Sequence, residues 1–364
     1  MKYFSILIKP ASSICNMKCK YCFYYDVADH REIRNYGIMN ENTMKVMIDQ
    51  ILSYFQEEVV ITYSFQGGEP TCAGLEYFKC FVEYVEDKKN SYHHIQYAIQ
   101  TNGLLIDDEW LSFLKENHFL VGISIDGSKT YHDEVRVDGT LKGSHERVVN
   151  VIDRMEKMGI EFNVLTVLTA QLAQHPKELF EFYLENKMDY IQLIPCLPPL
   201  EVKNDYYALT PQAFFDFYDV FFSLWLKEYE KDHIISVSHF DNLISLFADK
   251  PPLMCGYLGF CSMQFVVESN GDVYPCDFFV LDQYRIGNIK ENSIEALAKS
   301  QVTGLFLQEE KRNSKLCGYC RYIKICNGQC KRMNICYYDD EYCGLQAFMQ
   351  KYEKEIMDIA QRVQ

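Results

Sequence analysis

The sequence predicts an α/β fold: a partial, TIM-like (β/α)6 barrel over residues 1–235, followed by a small cysteine-rich domain over residues 236–364 with a β-hairpin and a C-terminal helix. Three observations support this prediction. Six short apolar runs alternate with helical patterns in the first two thirds of the chain. Glycines and polar residues follow those runs, as at the strand ends of α/β enzymes. The alternation stops near Pro251, where cysteine-rich segments begin.

The first βα unit shows the pattern in full. Residues 4–8 form an apolar strand, and a helix face follows at the spacing i, i+3, i+4, i+7, i+8, i+11, made by Met44, Met47, Ile48, Ile51, Leu52 and Phe55. Five more strands are predicted at 59–65, 95–100, 120–125, 162–168 and 190–194. Each precedes a helix: near 75–85, from 108, near 144–157, near 176–186 and near 211–229.

The strand ends carry the residues best placed for chemistry. Gln66-Gly67-Gly68-Glu69-Pro70 follows the second strand, and paired glycines allow a backbone edge to approach a ligand closely, although such a run alone is often an ordinary turn. Ser124 ends the fourth strand and Leu197 follows the sixth. Arg136 lies in a stretch, 132–136, that is predicted to be too broken for a helix. A guanidinium there suits a carboxylate ligand, or it is a solvated surface group.

Composition narrows the class of partner. The 364 residues carry a formal net charge of -15, which argues against a nucleic-acid backbone or an anionic membrane surface. A protein or small-molecule substrate is expected. The apolar stretch near the N-terminus, residues 3–8, is too short for a signal peptide or a spanning helix. We therefore expect a cytoplasmic protein, whose 15 cysteines indicate metal binding and, where clusters are exposed, an anaerobic cell.

The cysteine loop after the first strand is the strongest chemical signal. Cys15, Cys19 and Cys22 follow the spacing C-x3-C-x2-C. Three thiolates on one loop can hold three irons of a four-iron, four-sulfur cluster and leave the fourth iron open, whereas structural zinc takes four protein ligands. The loop therefore indicates an iron centre with an open coordination position.

A second set of cysteines lies after residue 250. Cys255, Cys261 and Cys276 flank a predicted hairpin with the turn Ser269-Asn270-Gly271-Asp272. A run of spacing C-x2-C-x5-C-x3-C follows, with two cysteines beyond it: Cys317, Cys320, Cys326, Cys330, Cys336 and Cys343. From spacing alone, two zinc sites compete with two iron-sulfur clusters. Cys72, Cys80, Cys196 and Cys336 are left over and are expected to be small buried residues.

The cysteine loop, with Tyr21 before its last cysteine, resembles the C-x3-C-x-aromatic-C signature of radical S-adenosylmethionine (SAM) enzymes. The resemblance implies that Cys15, Cys19 and Cys22 bind a 4Fe-4S cluster whose open iron is chelated by SAM. It also implies SAM contacts by Tyr21, Gly68, Ser124, Arg136 and Leu197.

The later cysteines resemble the SPASM domain, which carries two auxiliary 4Fe-4S clusters. On that resemblance the first auxiliary cluster is bound by Cys255, Cys261, Cys276 and Cys330, and the second by Cys317, Cys320, Cys326 and Cys343. Cys336 competes with Cys343 for the last position. Fully ligated clusters leave no iron for a substrate, so electron transfer is their expected task.

The longer motifs resemble the anaerobic sulfatase-maturating enzymes: Leu7-Ile8-Lys9-Pro10, Phe65-Gln66-Gly67-Gly68-Glu69-Pro70-Thr71, Gln100-Thr101-Asn102-Gly103 and Tyr274-Pro275-Cys276-Asp277-Phe278. That family oxidises a Cys or Ser in a Cys/Ser-x-Pro/Ala-x-Arg motif of a sulfatase to Cα-formylglycine, by hydrogen abstraction from Cβ. The resemblance implies that Asp277 is the catalytic base and that Tyr24 and Gln66 contact the substrate. An unfolded sulfatase polypeptide and an electron donor such as ferredoxin or flavodoxin are the expected partners.

Two alternatives remain at this stage. A SPASM enzyme could instead modify a ribosomally made peptide, for example by thioether crosslinking, although only 14 residues precede Cys15 and many such enzymes carry an N-terminal recognition domain. A zinc-binding interaction protein without catalysis is the second alternative, and it would be colourless.

Overall fold

The computed structural model describes residues 1–202 and 205–363. Its strands are β1 (Lys2–Lys9), β2 (Val59–Phe65), β3 (His93–Thr101), β4 (Phe119–Ser124), β5 (Phe162–Leu168), β6 (Tyr190–Pro195), β7 (Ser236–Val237), β8 (Val266–Glu268), β9 (Asp272–Tyr274) and β10 (Gly287–Asn288). All six strands of the predicted βα units are present, each within two residues of its expected ends.

The helices of the predicted units are also present. In chain order the helices are α1 (Phe23–Asp29), α2 (Glu41–Tyr54), α3 (Leu75–Lys88), α4 (Asp108–Glu116), α5 (Lys129–Val135), α6 (His145–Met158), α7 (Pro176–Glu185), α8 (Pro211–Tyr229), α9 (Ser238–Phe247), α10 (Ile294–Ala298), α11 (Gln301–Gln308), α12 (Ile323–Cys326) and α13 (Gly344–Arg362). Side-chain caps mark several of the starts, for example Asn40, which accepts from Thr43 N, Asp107, which accepts from Trp110 N, and Thr210, which accepts from Ala213 N.

One prediction about secondary structure is wrong. Residues 132–135 belong to helix α5 and not to an irregular stretch, and Arg136 directly follows that helix. The helix is held locally, since His132 N donates to Ser128 O at 3.0 Å and Lys129 pairs with Asp133 at 2.8 Å, one turn apart. The sequence pattern did not reveal it because seven residues are too few for a clear apolar period.

The chain forms two compact units. The first comprises residues 1–124, 136–162 and 263–308, and the second comprises 125–135, 163–262 and 309–363. Each unit draws residues from both sides of position 235, so the boundary expected there stays a prediction.

The first unit contains a mostly parallel sheet in the order β10-β9-β8-β1-β2-β3-β4. The predicted hairpin is confirmed as β8 and β9, which pair antiparallel, and β8 also pairs parallel with β1. This pairing places Lys9, at the end of β1, directly opposite Glu268 at the end of β8. The ends of β1, β2 and β8 therefore lie side by side.

The second unit holds a parallel sheet of β5, β6 and β7 and an aromatic core. Phe222 on α8 packs against Phe240 on α9 and Phe348 on α13, with ring centroids 4.8 and 5.3 Å apart. Such aromatic contacts account for part of the high phenylalanine content. Within the described residues, we find no helix that combines the length and apolar character needed to cross a membrane.

Candidate functional site

The cysteine loop joins β1 to α1 and gathers its three thiols. Cys15 lies within electrostatic reach of Cys19 and Cys22. Backbone and side-chain N–H groups point at the sulfurs: Met17 N is 3.4 Å and Asn102 Nδ2 is 3.9 Å from Cys15 Sγ. Donors of this kind stabilise thiolates that bind metal.

The pKa of Cys22 reflects competing influences. Burial raises the pKa of this thiol, while backbone N–H groups of Tyr24 and Tyr25 and the positive charges of Arg136 and Lys9 act in the opposite direction. Arg136 is itself buried, and its guanidinium lies 5.5 Å from the ring centroid of Tyr21. Arg136 and Tyr21, two of the predicted SAM contacts, therefore lie together beside the cysteine loop.

The glycine-rich loop after β2 packs directly on the cysteine loop. Gly68 N donates to Ser12 O at 2.9 Å, and Glu69 N donates to Ile14 O at 2.7 Å. A Cβ at position 68 would lie 2.2 Å from Ile14 O, so only glycine fits there. The close approach that the sequence predicted for this loop is thus, in part, an approach to the cysteine loop itself.

Glu69 connects this loop to the end of β3. Its buried carboxylate accepts from Thr71 N and Oγ1, from Thr101 Oγ1 at 2.7 Å and from Asn102 N at 2.7 Å. Burial raises the pKa of Glu69, against the effect of these donors. At the end of β4, Ser124 Oγ accepts from Gln100 Nε2 at 3.1 Å. Leu197, the remaining predicted SAM contact, is buried in the second unit after β6.

The first unit brings Asp277 and both predicted substrate contacts to one place. Gln66 Nε2 donates to Asp277 Oδ2 at 3.1 Å, and Lys9 Nζ lies 2.5 Å from Asp277 Oδ1. Lys9 Nζ also lies 3.9 Å from the ring centroid of Tyr24. The side chain of Lys9 is fully buried, whereas that of Asp277 is 13 % exposed. Asp277 is therefore the accessible member of this ion pair.

A second buried ion pair, between Arg31 and Glu268, contacts the hydroxyl end of Tyr24. The Tyr24 hydroxyl hydrogen-bonds to Glu268, and Arg31 Nη1 pairs with the same carboxylate at 2.6 Å. The side chains of Arg31 and Glu268 are both fully buried. Three charged residues of this site were not predicted from the sequence: Lys9, Arg31 and Glu268. The sequence offered two indications: Lys9 is the last residue of an apolar strand, and Glu268 is the last residue of an apolar hairpin strand.

In the second unit four cysteines share one neighbourhood. Cys317, Cys320 and Cys326 lie within electrostatic reach of Cys343, the N-cap residue of α13. Cys336 lies elsewhere, since its buried thiol donates to Cys196 O at 3.4 Å. This arrangement favours Cys343 over Cys336 as the partner of the other three.

The remaining cysteines divide between the units. Cys261 and Cys330 lie within electrostatic reach of each other in the second unit, which also carries Cys255, while Cys276 belongs to the first. Of the four left-over cysteines, Cys196 and Cys336 are buried as expected. For the other two the expectation is wrong: Cys80 is exposed on α3, and Cys72 is half-buried in the turn that precedes α3.

The donor set fits iron-sulfur clusters, because such clusters are held by cysteine thiolates. All fifteen cysteines fall within the described residues, and no disulfide joins any of them. Among those residues, no three His, Cys, Asp or Glu side chains are grouped closely enough for one metal ion.

Comparison with known proteins identifies the class. Residues 10–183 match the Radical SAM superfamily, and residues 255–322 match SPASM, an iron-sulfur cluster-binding domain. The fold and the site thus define a radical SAM enzyme with a SPASM domain, a class whose cofactors are iron-sulfur clusters and SAM. The predicted fold class is confirmed.

Relatives over most of the chain identify the family. The chain is 38% identical to the cysteine-type anaerobic sulfatase-maturating enzyme of Clostridium novyi, over 91% of this chain and 89% of that one. It is 28% identical to the serine-type enzyme of Bacteroides thetaiotaomicron, over 98% and 89% of the two chains. A solved structure of native anSMEcpe with bound AdoMet and Cp18Cys peptide matches with a TM-score of 0.92, 33% identity and full coverage of both chains. The chain belongs to the anaerobic sulfatase-maturating enzymes.

Proposed function

We propose that this enzyme oxidises a cysteine in a Cys-x-Pro/Ala-x-Arg motif of an unfolded sulfatase to Cα-formylglycine, with serine in the same position as the poorer substrate. The observation that carries the proposal is the accessible Asp277 carboxylate, held by Gln66 beside Tyr24. The preference for cysteine rests on the higher identity to a cysteine-type relative, 38% against 28% for a serine-type one.

The cysteines are proposed to hold three 4Fe-4S clusters. Cys15, Cys19 and Cys22 hold the one that binds SAM; the first auxiliary cluster takes Cys255, Cys261, Cys276 and Cys330, and the second takes Cys317, Cys320, Cys326 and Cys343. When bound, these groups supply a 5'-deoxyadenosyl radical that removes one hydrogen atom from the substrate Cβ, and a path for the second electron. Ferredoxin or flavodoxin would donate the first electron.

The chain's own residues bind the cofactor and handle protons. Arg136 is proposed to pair with the SAM carboxylate, with Tyr21, Gly68, Ser124 and Leu197 as further SAM contacts. Asp277 accepts the thiol or hydroxyl proton of the substrate as Cβ is oxidised. Cysteine then becomes a thioaldehyde, which water converts to the aldehyde with release of hydrogen sulfide, whereas serine gives the aldehyde directly.

An anaerobic peptide assay tests this proposal. The reconstituted enzyme is given SAM, a reductant and a short peptide carrying Cys-x-Pro-x-Arg, and mass spectrometry follows the replacement of sulfur by a carbonyl oxygen. Matched peptides with Ser or Ala at the target position establish selectivity. Asp277→Asn is expected to cleave SAM while peptide oxidation collapses. An unchanged Cys peptide in the presence of 5'-deoxyadenosine would refute the proposed substrate, and full oxidation by Asp277→Asn would remove Asp277 from the mechanism.

A further inference from the structure

We infer that Lys9 is a positioning residue for the proposed base, Asp277, an inference that rests on the proposed function. Lys9 ends β1, and its side chain is fully buried. Its Nζ lies 2.5 Å from Asp277 Oδ1. A buried ammonium is costly to keep unless it is paired, so this contact fixes both partners. Because Asp277 lies on the accessible side of the pair, Lys9 acts on a substrate only through Asp277.

The contacts divide the two carboxylate oxygens between different tasks. Lys9 occupies Oδ1, while Oδ2 accepts one hydrogen bond, from Gln66 Nε2 at 3.1 Å. The backbone N–H of Asp277 is directed at Gln264 Oε1, 3.4 Å away, which limits rotation of the residue. A carboxylate oxygen accepts about two hydrogen bonds. Both oxygens keep acceptor capacity, but Oδ2, whose partner is a neutral amide and not an ammonium, is the more basic one and is assigned the substrate proton.

Lys9 is itself held from two sides. Its Nζ lies 3.9 Å from the ring centroid of Tyr24, a cation–π contact, and the Tyr24 hydroxyl is bound to Glu268. Glu268 faces Lys9 across the β1–β8 pairing and is neutralised by Arg31 at 2.6 Å. Two cations and two carboxylates thus balance one another around Tyr24. Lys9 is the member of this group that contacts both the proposed base and a proposed substrate contact.

The variants Lys9→Met, Asp277→Asn and their combination test the inference. Lys9→Met removes the ammonium at similar length, and kcat for peptide oxidation is expected to fall about 100-fold, the scale of a misplaced catalytic group. The KM for the peptide and the rate of SAM cleavage are expected to stay within about threefold, because the Lys9 side chain is fully buried and its charge is the weakest of the influences on Cys22 described above. In the Asp277→Asn background, Lys9→Met is expected to cost nothing further.

Controls separate positioning from folding. Lys2→Met changes a lysine on the same strand whose ion pair, with Glu57, is exposed, and it is expected to leave every parameter unchanged. Thermal unfolding and iron content are measured for each variant. If Lys9→Met fails to fold, Lys9→Gln, which keeps a donor without the charge, replaces it in the same comparison. If Asp277→Asn has no measurable oxidation, the double variant is uninformative. The test is then whether Lys9→Met alone lowers kcat while leaving the KM for the peptide unchanged.

Wild-type turnover by Lys9→Met would overturn the inference. Parallel losses of SAM cleavage, peptide binding and oxidation would also overturn it, because they indicate a structural role alone. A loss in the double variant equal to the product of the two single losses would do the same, because it means that Lys9 acts independently of Asp277. Failure of the wild-type enzyme to form the aldehyde would instead refute the proposed function, so the two failures are distinguishable.

Discussion

Replacing Gly68 with alanine is expected to displace the cysteine loop and prevent normal binding of its cluster. The new Cβ would lie 2.2 Å from Ile14 O and 2.7 Å from Ser13 C, where ordinary contact begins at 3.4 Å. The cysteine loop and the glycine-rich loop must move apart by roughly 1 Å, because backbone atoms cannot rotate away as a side chain can. Overpacking of about 1–3 kcal/mol, together with two weakened hydrogen bonds of about 1 kcal/mol each, gives about 3–5 kcal/mol.

Iron and sulfide analysis after anaerobic reconstitution measures the effect. With three clusters proposed, Gly68→Ala is expected to lose about a third of the bound iron and nearly all SAM cleavage. Gly304→Ala is the matched control, since no atom lies within 4 Å of a Cβ at that position in α11, and it is expected to be neutral or stabilised by up to about 1 kcal/mol. Wild-type iron content and SAM cleavage in Gly68→Ala would refute the close-approach argument.

Three further predictions concern stability and cluster ligands. Arg31→Met strands the buried Glu268 carboxylate, and a cost of about 3–5 kcal/mol should lower the thermal midpoint by about 4–7 °C for 364 residues. Cys343→Ser is expected to lose one auxiliary cluster by iron analysis and electron paramagnetic resonance, whereas Cys336→Ser should keep all three. Burial lowers the pKa of His239 from 6.5 to about 3, so the unfolded chain binds a proton that the folded chain excludes. Between pH 6.5 and 5 this should remove about 1.6 kcal/mol of unfolding free energy, a loss absent in His239→Gln.

Each of these predictions has a control. Replacing Glu268 with leucine in the Arg31→Met background removes the stranded charge and should recover most of the lost stability. Equal iron loss in the two cysteine variants would contradict the assignment of Cys343. His94 is exposed on β3, so His94→Gln should keep the wild-type dependence of unfolding on pH. The same dependence in His239→Gln would assign the acid sensitivity to other groups.

The βα units were predictable because apolar periodicity is a local property. A strand that is buried on both faces and a helix with one buried face leave distinct patterns within 5 to 15 residues. Helix α5 was not predicted from apolar periodicity, because its seven residues are stabilised by neighbours such as Ser128 and not by an apolar stripe. The pairing of the hairpin with β1 was not predicted either, since no sequence pattern near residue 266 indicates a partner at residue 7.

The candidate site was predictable where spacing carries chemistry. Cysteine spacing predicted the metal-binding segments, and family resemblance predicted roles for Asp277, Tyr24 and Gln66, which the structure places together. The buried charges around them were not predictable in the same way. Lys9 and Asp277 are 268 positions apart, and Arg31 and Glu268 are 237 positions apart, so neither pairing has a local sequence pattern. Only the folded chain shows that these four charges share one neighbourhood with Tyr24.

The pairing of β1 with β8 has a consequence for synthesis. A ribosome releases β1 more than 250 residues before β8, so one edge of β1 stays unpaired while most of the chain is made. Lys9 lacks its carboxylate partner during that time, because Asp277 is made still later. The nascent first unit is therefore an open-edged intermediate that aggregation or a chaperone can capture. Slow elongation after residue 200 would prolong this exposure, and the yield of folded enzyme should depend on how quickly the last third of the chain emerges.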